Sequence, residues 1–278
     1  MTFSLRQPAA MPIAHPGRLP GLALLTLLAL AALPALSRPA GAAECPGHPG
    51  ALGTARVLEV DPKGLRVGTK SFPGTLPLAP KEVVLTFDDG PWPKTTAAVL
   101  DALKAECVRA TFFLIGENAR ARPELVRRTL AEGHTVAHHT LTHPAATLAK
   151  IPFDDAVREI ERGMAADETA AYGTAGTAPR VPFFRFPGFA STPQLLDYLD
   201  RKGVGVFGAD FWASDWNVMT PEAELDLVLK RLDAAGGGIV LFHDTKPYTA
   251  AMIPAFLRAL ADRGYTVVHI VPKPAGAG

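Results

Sequence analysis

The sequence predicts an α/β fold whose parallel sheet closes, or nearly closes, into a one-domain barrel. Three observations carry this. From residue 81 onward, short apolar runs alternate with longer stretches of helical period. Prolines stand near the starts of those stretches and glycines just past their ends. Polar residues gather directly after the apolar runs, the end of the strands where barrel enzymes carry their chemistry.

The strand segments are 83–87, 110–115, 134–137, 182–186, 204–208, 238–242 and 265–270. Helical patterns cover 94–105, 118–132, 153–170, 192–202, 221–235 and 249–263. Pro93, Pro193 and Pro221 sit near helix starts, where a missing N–H costs nothing. Gly133, Gly203 and Gly264 stand where a helix ends in a left-handed residue. Before residue 81 lies an extension, residues 44–80, rich in proline and glycine. Its segments Ala55–Val60 and Leu65–Thr69 flank Asp61-Pro62-Lys63-Gly64 and read as a β-hairpin. The catalytic domain is taken as 81–272.

The N-terminus has a different character. Arg6 and Arg18 precede the apolar stretch Leu19–Leu36, and Ala40-Gly41-Ala42-Ala43 follows. This is the pattern of a secretory signal peptide over residues 1–43, so a secreted, periplasmic or envelope location is expected. The alternative is a retained anchor, against which Pro20 and Pro34 interrupt the stretch. Cleavage leaves no stable membrane span. It removes Arg6, Arg18 and Arg38 and no acidic residue, so the formal charge passes from +1 to −2. A nucleic-acid binder needs a basic patch, and no nucleic-acid partner is expected. With 48% hydrophobic and 20% charged residues the chain is globular rather than disordered.

Both cysteines, Cys45 and Cys107, lie in the mature chain. In an exported protein such a pair often forms a disulfide, the alternative being two free thiols. Glu44 directly before Cys45 argues against a lipid-modified cysteine.

Chemistry is concentrated in two segments. In Thr86-Phe87-Asp88-Asp89-Gly90-Pro91, two adjacent carboxylates end a buried strand. Ionised carboxylates avoid low dielectric unless they are paired or bind a metal. In His139-Thr140-Leu141-Thr142-His143, two imidazoles four residues apart converge on one ion if the segment turns helically. One of the two aspartates completes a two-His, one-carboxylate set with open positions for water and substrate. His134 and His138 read as structural. Phe112, Phe113, Phe183 and Phe184 read as core, His269 as a buried histidine without a role, Asp210 as structural, and Asp244 as a helix cap.

Taken in order, Thr-Phe-Asp-Asp-Gly-Pro, His-Thr-x-x-His, Arg185-Phe186-Pro187, Asp215-Trp216 and Leu241-Phe242-His243 resemble the motifs of the polysaccharide deacetylase family. This is the NodB homology domain, or carbohydrate esterase family four, and the resemblance spans about residues 81–270. It implies a distorted, TIM-like (β/α) barrel of about seven strands. It also implies a divalent metal, commonly zinc, with cobalt, nickel or manganese as alternatives. The substrates it implies are acetylated amino-sugar polymers or oligomers, from which N-acetyl groups are removed. Carried over residue by residue, Asp89, His139 and His143 hold the metal and Asp88 is the general base, fixed by Arg185. His243 is the general acid, tuned by Asp215. Leu241 and Trp216 line the acetyl pocket, and a backbone N–H near Gly188 meets the oxyanion.

Three positions depart from the family pattern: Gly188-Phe189 after Arg-x-Pro, Trp212 three residues before Asp215, and His138 before the first histidine. They bear on substrate more than on chemistry. Two other functions use the same segments: an O-acetyl esterase on xylan-like polymers, and a non-catalytic envelope protein that binds glycan. Intactness of all seven polar positions speaks against the second. A retaining glycosidase fits poorly, because neighbouring residues of a strand end cannot flank one glycosidic bond.

Overall fold

Strand and helix alternate as the apolar periodicity requires. The computed structural model describes Cys45, His48 and residues 50–274, so the signal peptide expected over 1–43 lies outside the described residues. Strands β1 (Thr54–Val60) and β2 (Arg66–Val67) come first. Then follow β3 (Glu82–Asp88), α1 (Thr95–Ala105), β4 (Thr111–Ile115), α2 (Gly116–Ala121), α3 (Pro123–Ala131) and β5 (Thr135–Thr140). The chain continues with α4 (Phe153–Tyr172), β6 (Phe183–Phe184), α5 (Pro193–Arg201), β7 (Gly205–Phe207) and β8 (Phe211–Trp212). It ends with α6 (Pro221–Ala235), β9 (Gly238–His243), α7 (Pro247–Asp262) and β10 (Thr266–Pro272). Every ladder is parallel.

β3 is the hub. β9 pairs with it from Val83 to Asp88, β4 along Thr86–Asp88, and β10 at Glu82 and Val83. The main path runs β1-β10-β3-β4-β5-β6-β7-β2. Laid flat, the outer strands of an eight-strand path stand about 34 Å apart. The loop joining β1 to β2 covers only residues 61–65 and spans at most about 20 Å. The sheet therefore curls into a distorted barrel that the chain, not a ladder, brings round.

This corrects the expected hairpin. β1 and β2 form where their alternation places them, but they do not pair with each other. β1 runs parallel to β10 from Thr54 opposite Val267 to Val60 opposite Pro272, and β2 runs parallel to β7. The physical reason is edge coverage: β10 and β7 would otherwise expose open backbone donors and acceptors. Arg56 on β1 grips Glu82 at the start of β3 with two bonds, at 2.7 and 2.6 Å, and fixes the extension to the hub. Cys45 and Cys107 are joined in a disulfide with Cα atoms 5.6 Å apart, tying the extension to the end of α1.

Two local differences follow from single residues. The segment 118–132 is not one helix, because Pro123 lacks the N–H that would continue α2 and instead opens α3. The two-residue strand β8 is too short to show a period, and sequence patterning misses it.

Strand alternation decides which residues reach the site. Val83, Leu85 and Phe87 pack outward in the core under the helices, while Val84 joins Phe113, Ala137, Phe183 and Ile239 inside the barrel. A period of two then puts Thr86 and Asp88 inside with Val84. The same rule puts Leu241 and His243 inside with Ile239, and His139 inside with Ala137. His138 faces the helix layer. The four predicted core phenylalanines are all buried.

Candidate active site

Asp88 is the last residue of β3, and Asp89 leaves the strand with φ 74°. That left-handed backbone is costly for a non-glycine residue, and such strain collects at functional sites. Here it turns two consecutive carboxylates toward different partners. The bend is held from outside. Asp89 N–H donates to Phe113 O, and Asn118 Nδ2 on α2 donates to Asp89 O at 2.7 Å.

Asp89 faces two imidazoles. Its Oδ1 lies 3.6 Å from His139 Nε2 and 3.7 Å from His143 Nε2, and one ligand atom from each residue lies within 4.8 Å of the others. Ligand atoms about 2.1 Å from one tetrahedral ion stand about 3.4 Å apart, so the spacing fits a metal. Asp89 Oδ1 is buried with no hydrogen-bond partner among the described residues, as an oxygen awaiting a cation would be. His139 Nδ1 is 2.7 Å from Arg185 O, which fixes that nitrogen as the donor and leaves Nε2 free to ligate. Burial, opposed by Asp89, pushes His139 down to about 3, so the ring is neutral as a ligand must be. The donor set is suited to a divalent ion.

The expected helical turn between the histidines is absent. His139 lies on β5, and the chain then turns so tightly that His143 takes φ 54°, its N–H donating to Thr140 Oγ1 at 3.0 Å. A strand end plus one tight turn achieves the convergence that the i, i+4 spacing suggested. His138 points away from the site, its Nδ1 2.9 Å from Asp167 Oδ2 on α4, and is structural as expected.

Arg185 is wholly buried just beyond β6, and all three of its guanidinium nitrogens donate into the barrel interior. Nη1 donates to Asp88 Oδ1 at 2.7 Å and to Thr86 Oγ1 at 2.9 Å; Nη2 donates to Gly208 O and Nε to Phe207 O. The guanidinium carbon stands 4.2 Å over the Phe113 ring. Burial pushes the Asp88 carboxyl up, against the pull of Arg185.

On β9, opposite Asp88 in register, stands His243. Its Nδ1 lies 2.7 Å from Asp215 Oδ1, and its backbone N–H donates to Asp215 Oδ2 at 2.6 Å. Burial works against a charged ring, but the Asp215 hydrogen bond and charge, with Asp89 and Asp88, outweigh it and lift His243 to about 9. Asp215 is fully buried and is itself held by Tyr248, whose hydroxyl donates to its carbonyl oxygen.

These groups open on one cavity of about 270 Å³, lined by Asp88, His139, His143 and His243 together with Gly188, Trp216 and Leu241. All the polar residues expected to act together are thus brought together. Phe189 and Trp212, two of the positions that depart from the family motifs, form one unit here: their rings stack with centroids 5.9 Å apart. Trp216 meets Trp212 edge-on and stands over His243. Lys70 Nζ, from the extension, lies 5.4 Å over Trp212. Asp210 holds that loop in place, accepting from Thr69 N–H and Oγ1 at 2.9 Å and from Thr75 Oγ1 at 2.6 Å.

Asp244 does not cap a helix. Lys246 precedes α7 without a side-chain cap, and Asp244 instead accepts from Thr96 Oγ1 on α1. It packs so closely on Gly90 that any Cβ there would collide with it. Sequence assigns no role to Thr86, Lys70 or Tyr248, of which only Thr86, inside the first motif, carries a local signal; Phe189 and Trp212 stand out in sequence as departures from the motifs.

A family profile described as polysaccharide deacetylase matches residues 76–207. The chain is 34% identical over 194 residues to a peptidoglycan-N-acetylglucosamine deacetylase of Bacillus cereus, covering 66% of this chain and 67% of that protein. It is 33% identical over 204 residues to a chitooligosaccharide deacetylase of Sinorhizobium fredii, covering 69% and 90%. Among solved structures, a peptidoglycan deacetylase of Bdellovibrio bacteriovorus superposes with a TM-score of 0.69 at 34% identity, covering 80% of this chain and 60% of that one. Bacillus subtilis peptidoglycan deacetylase PdaC superposes at 0.59 with 29% identity, covering 69% and 89%. Similarity of this extent shows that the chain belongs to the polysaccharide deacetylase family, hydrolases of the amide bonds of acetylated sugars.

Proposed function

We propose that this protein is an exported, metal-dependent N-deacetylase of amino-sugar polymers or oligomers, such as peptidoglycan glycan, chitooligosaccharide or poly-N-acetylglucosamine. The observation that carries the reading is convergence. A two-His, one-Asp set, an Arg-held aspartate and an Asp-held histidine face one cavity. The two relatives' names, a peptidoglycan-N-acetylglucosamine deacetylase and a chitooligosaccharide deacetylase, agree with an N-acetylated glycan as substrate.

A divalent ion held by Asp89, His139 and His143, zinc being the first choice for two imidazoles and a carboxylate, supplies Lewis acidity and lowers the pKa of water. The residues do the rest. Asp88 takes a proton from the attacking water as its oxygen bonds to the acetyl carbon. Arg185 keeps that carboxylate in place. A backbone N–H near Gly188 donates to the oxyanion. As the C–N bond breaks, His243 Nε2 gives its proton to the sugar nitrogen, which leaves as an amine, and acetate is released. Asp215 fixes the donor tautomer and keeps the ring charged until that moment. Leu241 and Trp216 enclose the acetyl methyl, and Phe189 and Trp212 offer flat faces to neighbouring sugar rings.

The test is acetate release from a panel of N- and O-acetylated glycans, with metal analysis of the purified protein. Amide substrates should release acetate only with metal present. Undiminished release by fully chelated protein sinks the reading, and release from O-acetyl xylan alone replaces it with the esterase alternative.

A further inference from the structure

Behind the His243–Asp215 pair the structure holds a second buried carboxylate. Glu224, on α6, is fully buried. Its Oε1 lies 2.9 Å from Thr249 Oγ1 on α7, and the same hydroxyl oxygen lies 3.1 Å from Asp215 Oδ2. Thr249 is fully buried too. Glu224 Oε2 is buried and has no partner among the described residues.

Counting protons fixes the state of this chain. A hydroxyl donates once, so Thr249 cannot donate to both carboxylates. Two ionised carboxylates on one hydroxyl would leave one oxygen pair facing lone pairs at 2.9 or 3.1 Å with nothing between them. A proton on one carboxyl removes that repulsion. Asp215 has the His243 ring and a backbone N–H to hold its charge. Glu224 has no hydrogen-bonded cation and a bare second oxygen, and an unpaired buried carboxylate is far costlier than a neutral acid.

We propose that Glu224 is a neutral carboxylic acid and a positioning residue: Glu224 donates to Thr249, Thr249 donates to Asp215, and Asp215 aims His243 at the cavity. The positioning half rests on the reading of His243 as general acid; the protonation half does not. The charged or titratable groups facing Glu224 are Asp215, His243 and Tyr248. Burial first, then the Asp215 charge, push the Glu224 carboxyl up to about 7, toward the neutral acid. The chain joins three elements, α6, α7 and the loop after β8, and so couples the acid's aim to helix packing remote from substrate.

The first measurement needs no activity. Infrared difference spectra of wild type against Glu224→Gln at pH 6 should show the C=O band of a protonated carboxyl in wild type that the variant lacks. A carboxylate band in its place overturns the protonation. The second measurement is acetate release. Glu224→Leu and Thr249→Val should each lower kcat about tenfold at unchanged KM, the scale of one hydrogen bond to a charged group. Glu224→Gln should recover most of the Glu224→Leu loss, since its amide donates where the acid did. If Glu224→Gln is as impaired as Glu224→Leu, or if Thr249→Val keeps full kcat, the positioning role is overturned. Wild-type protein with no acetate release would instead count against the deacetylase reading, with the infrared result still deciding the state of Glu224.

Discussion

Arg185 gives Asp88 a single nitrogen, at 2.7 Å, and its three other hydrogen bonds go to neutral oxygens. A bidentate grip would have occupied both carboxylate oxygens. The observed one restrains Asp88 while leaving it facing the cavity, which suits a group that must accept a proton and lose it again.

Asp88→Asn should therefore bind metal like wild type and lose about 10³-fold in kcat, the upper part of what general base catalysis contributes. Because Arg185 is wholly buried, the variant also leaves a charge with only neutral partners. A melting temperature lower than wild type is expected, with a cost of about 3 kcal/mol. Metal content and thermal melts on the purified variant check both.

Removal of the metal should abolish acetate release and be reversed by adding zinc. His143→Ala should lose metal more readily than wild type, because one of the three converging ligands is gone. Elemental analysis after dialysis reads this directly, independent of turnover.

The pH profile follows from two opposed requirements. Asp88 must be ionised, and burial raises it above its ordinary range, so activity climbs later than for a free carboxylate. His243 must be protonated, and with its pKa at about 9 activity falls only as pH rises through that value. Asp215→Asn removes the charge that most supports the imidazolium, so the alkaline limb should move to lower pH. Linkage has the same sign: His243 is raised above its ordinary 6.5, so its stabilisation is complete below that pH and is lost as pH rises through about 9. Rate profiles and melts across this range for wild type and variant test it.

Phe189 and Trp212 should behave as one recognition unit. Alanine at either position is expected to raise KM for oligomers about fivefold, the scale of one aromatic contact, with the double variant well short of the product of the two. Lys70→Glu should weaken turnover of carboxylate-bearing peptidoglycan fragments about threefold more than that of neutral chitooligosaccharides. Steady-state kinetics on both substrates measure each effect.

Cys45→Ser should destabilise the fold without touching the cavity. The disulfide closes a loop of 62 residues, worth about 4 kcal/mol by chain entropy. For a domain of this size that is a fall in melting temperature of about 10 °C, with kcat unchanged at 25 °C.

Much of this was legible in the residues. The alternation of apolar runs and helices, with Pro193 and Pro221 at helix starts and Gly133 and Gly264 past helix ends, is local chemistry that needs no tertiary context. The spacing of four to His143 separates His139 from His138 before any contact is known. What only the tertiary structure decided is pairing across long separations. β1 and β2 take β10 and β7 because open sheet edges, not turn chemistry, choose their partners. Phe189 finds Trp212, and Glu224 reaches Asp215 through Thr249, across loops and helices whose packing no local pattern encodes. Glu224 reads in sequence as an ordinary acidic residue of a first helical turn. Burial makes it a neutral acid, and burial is a property of the folded chain.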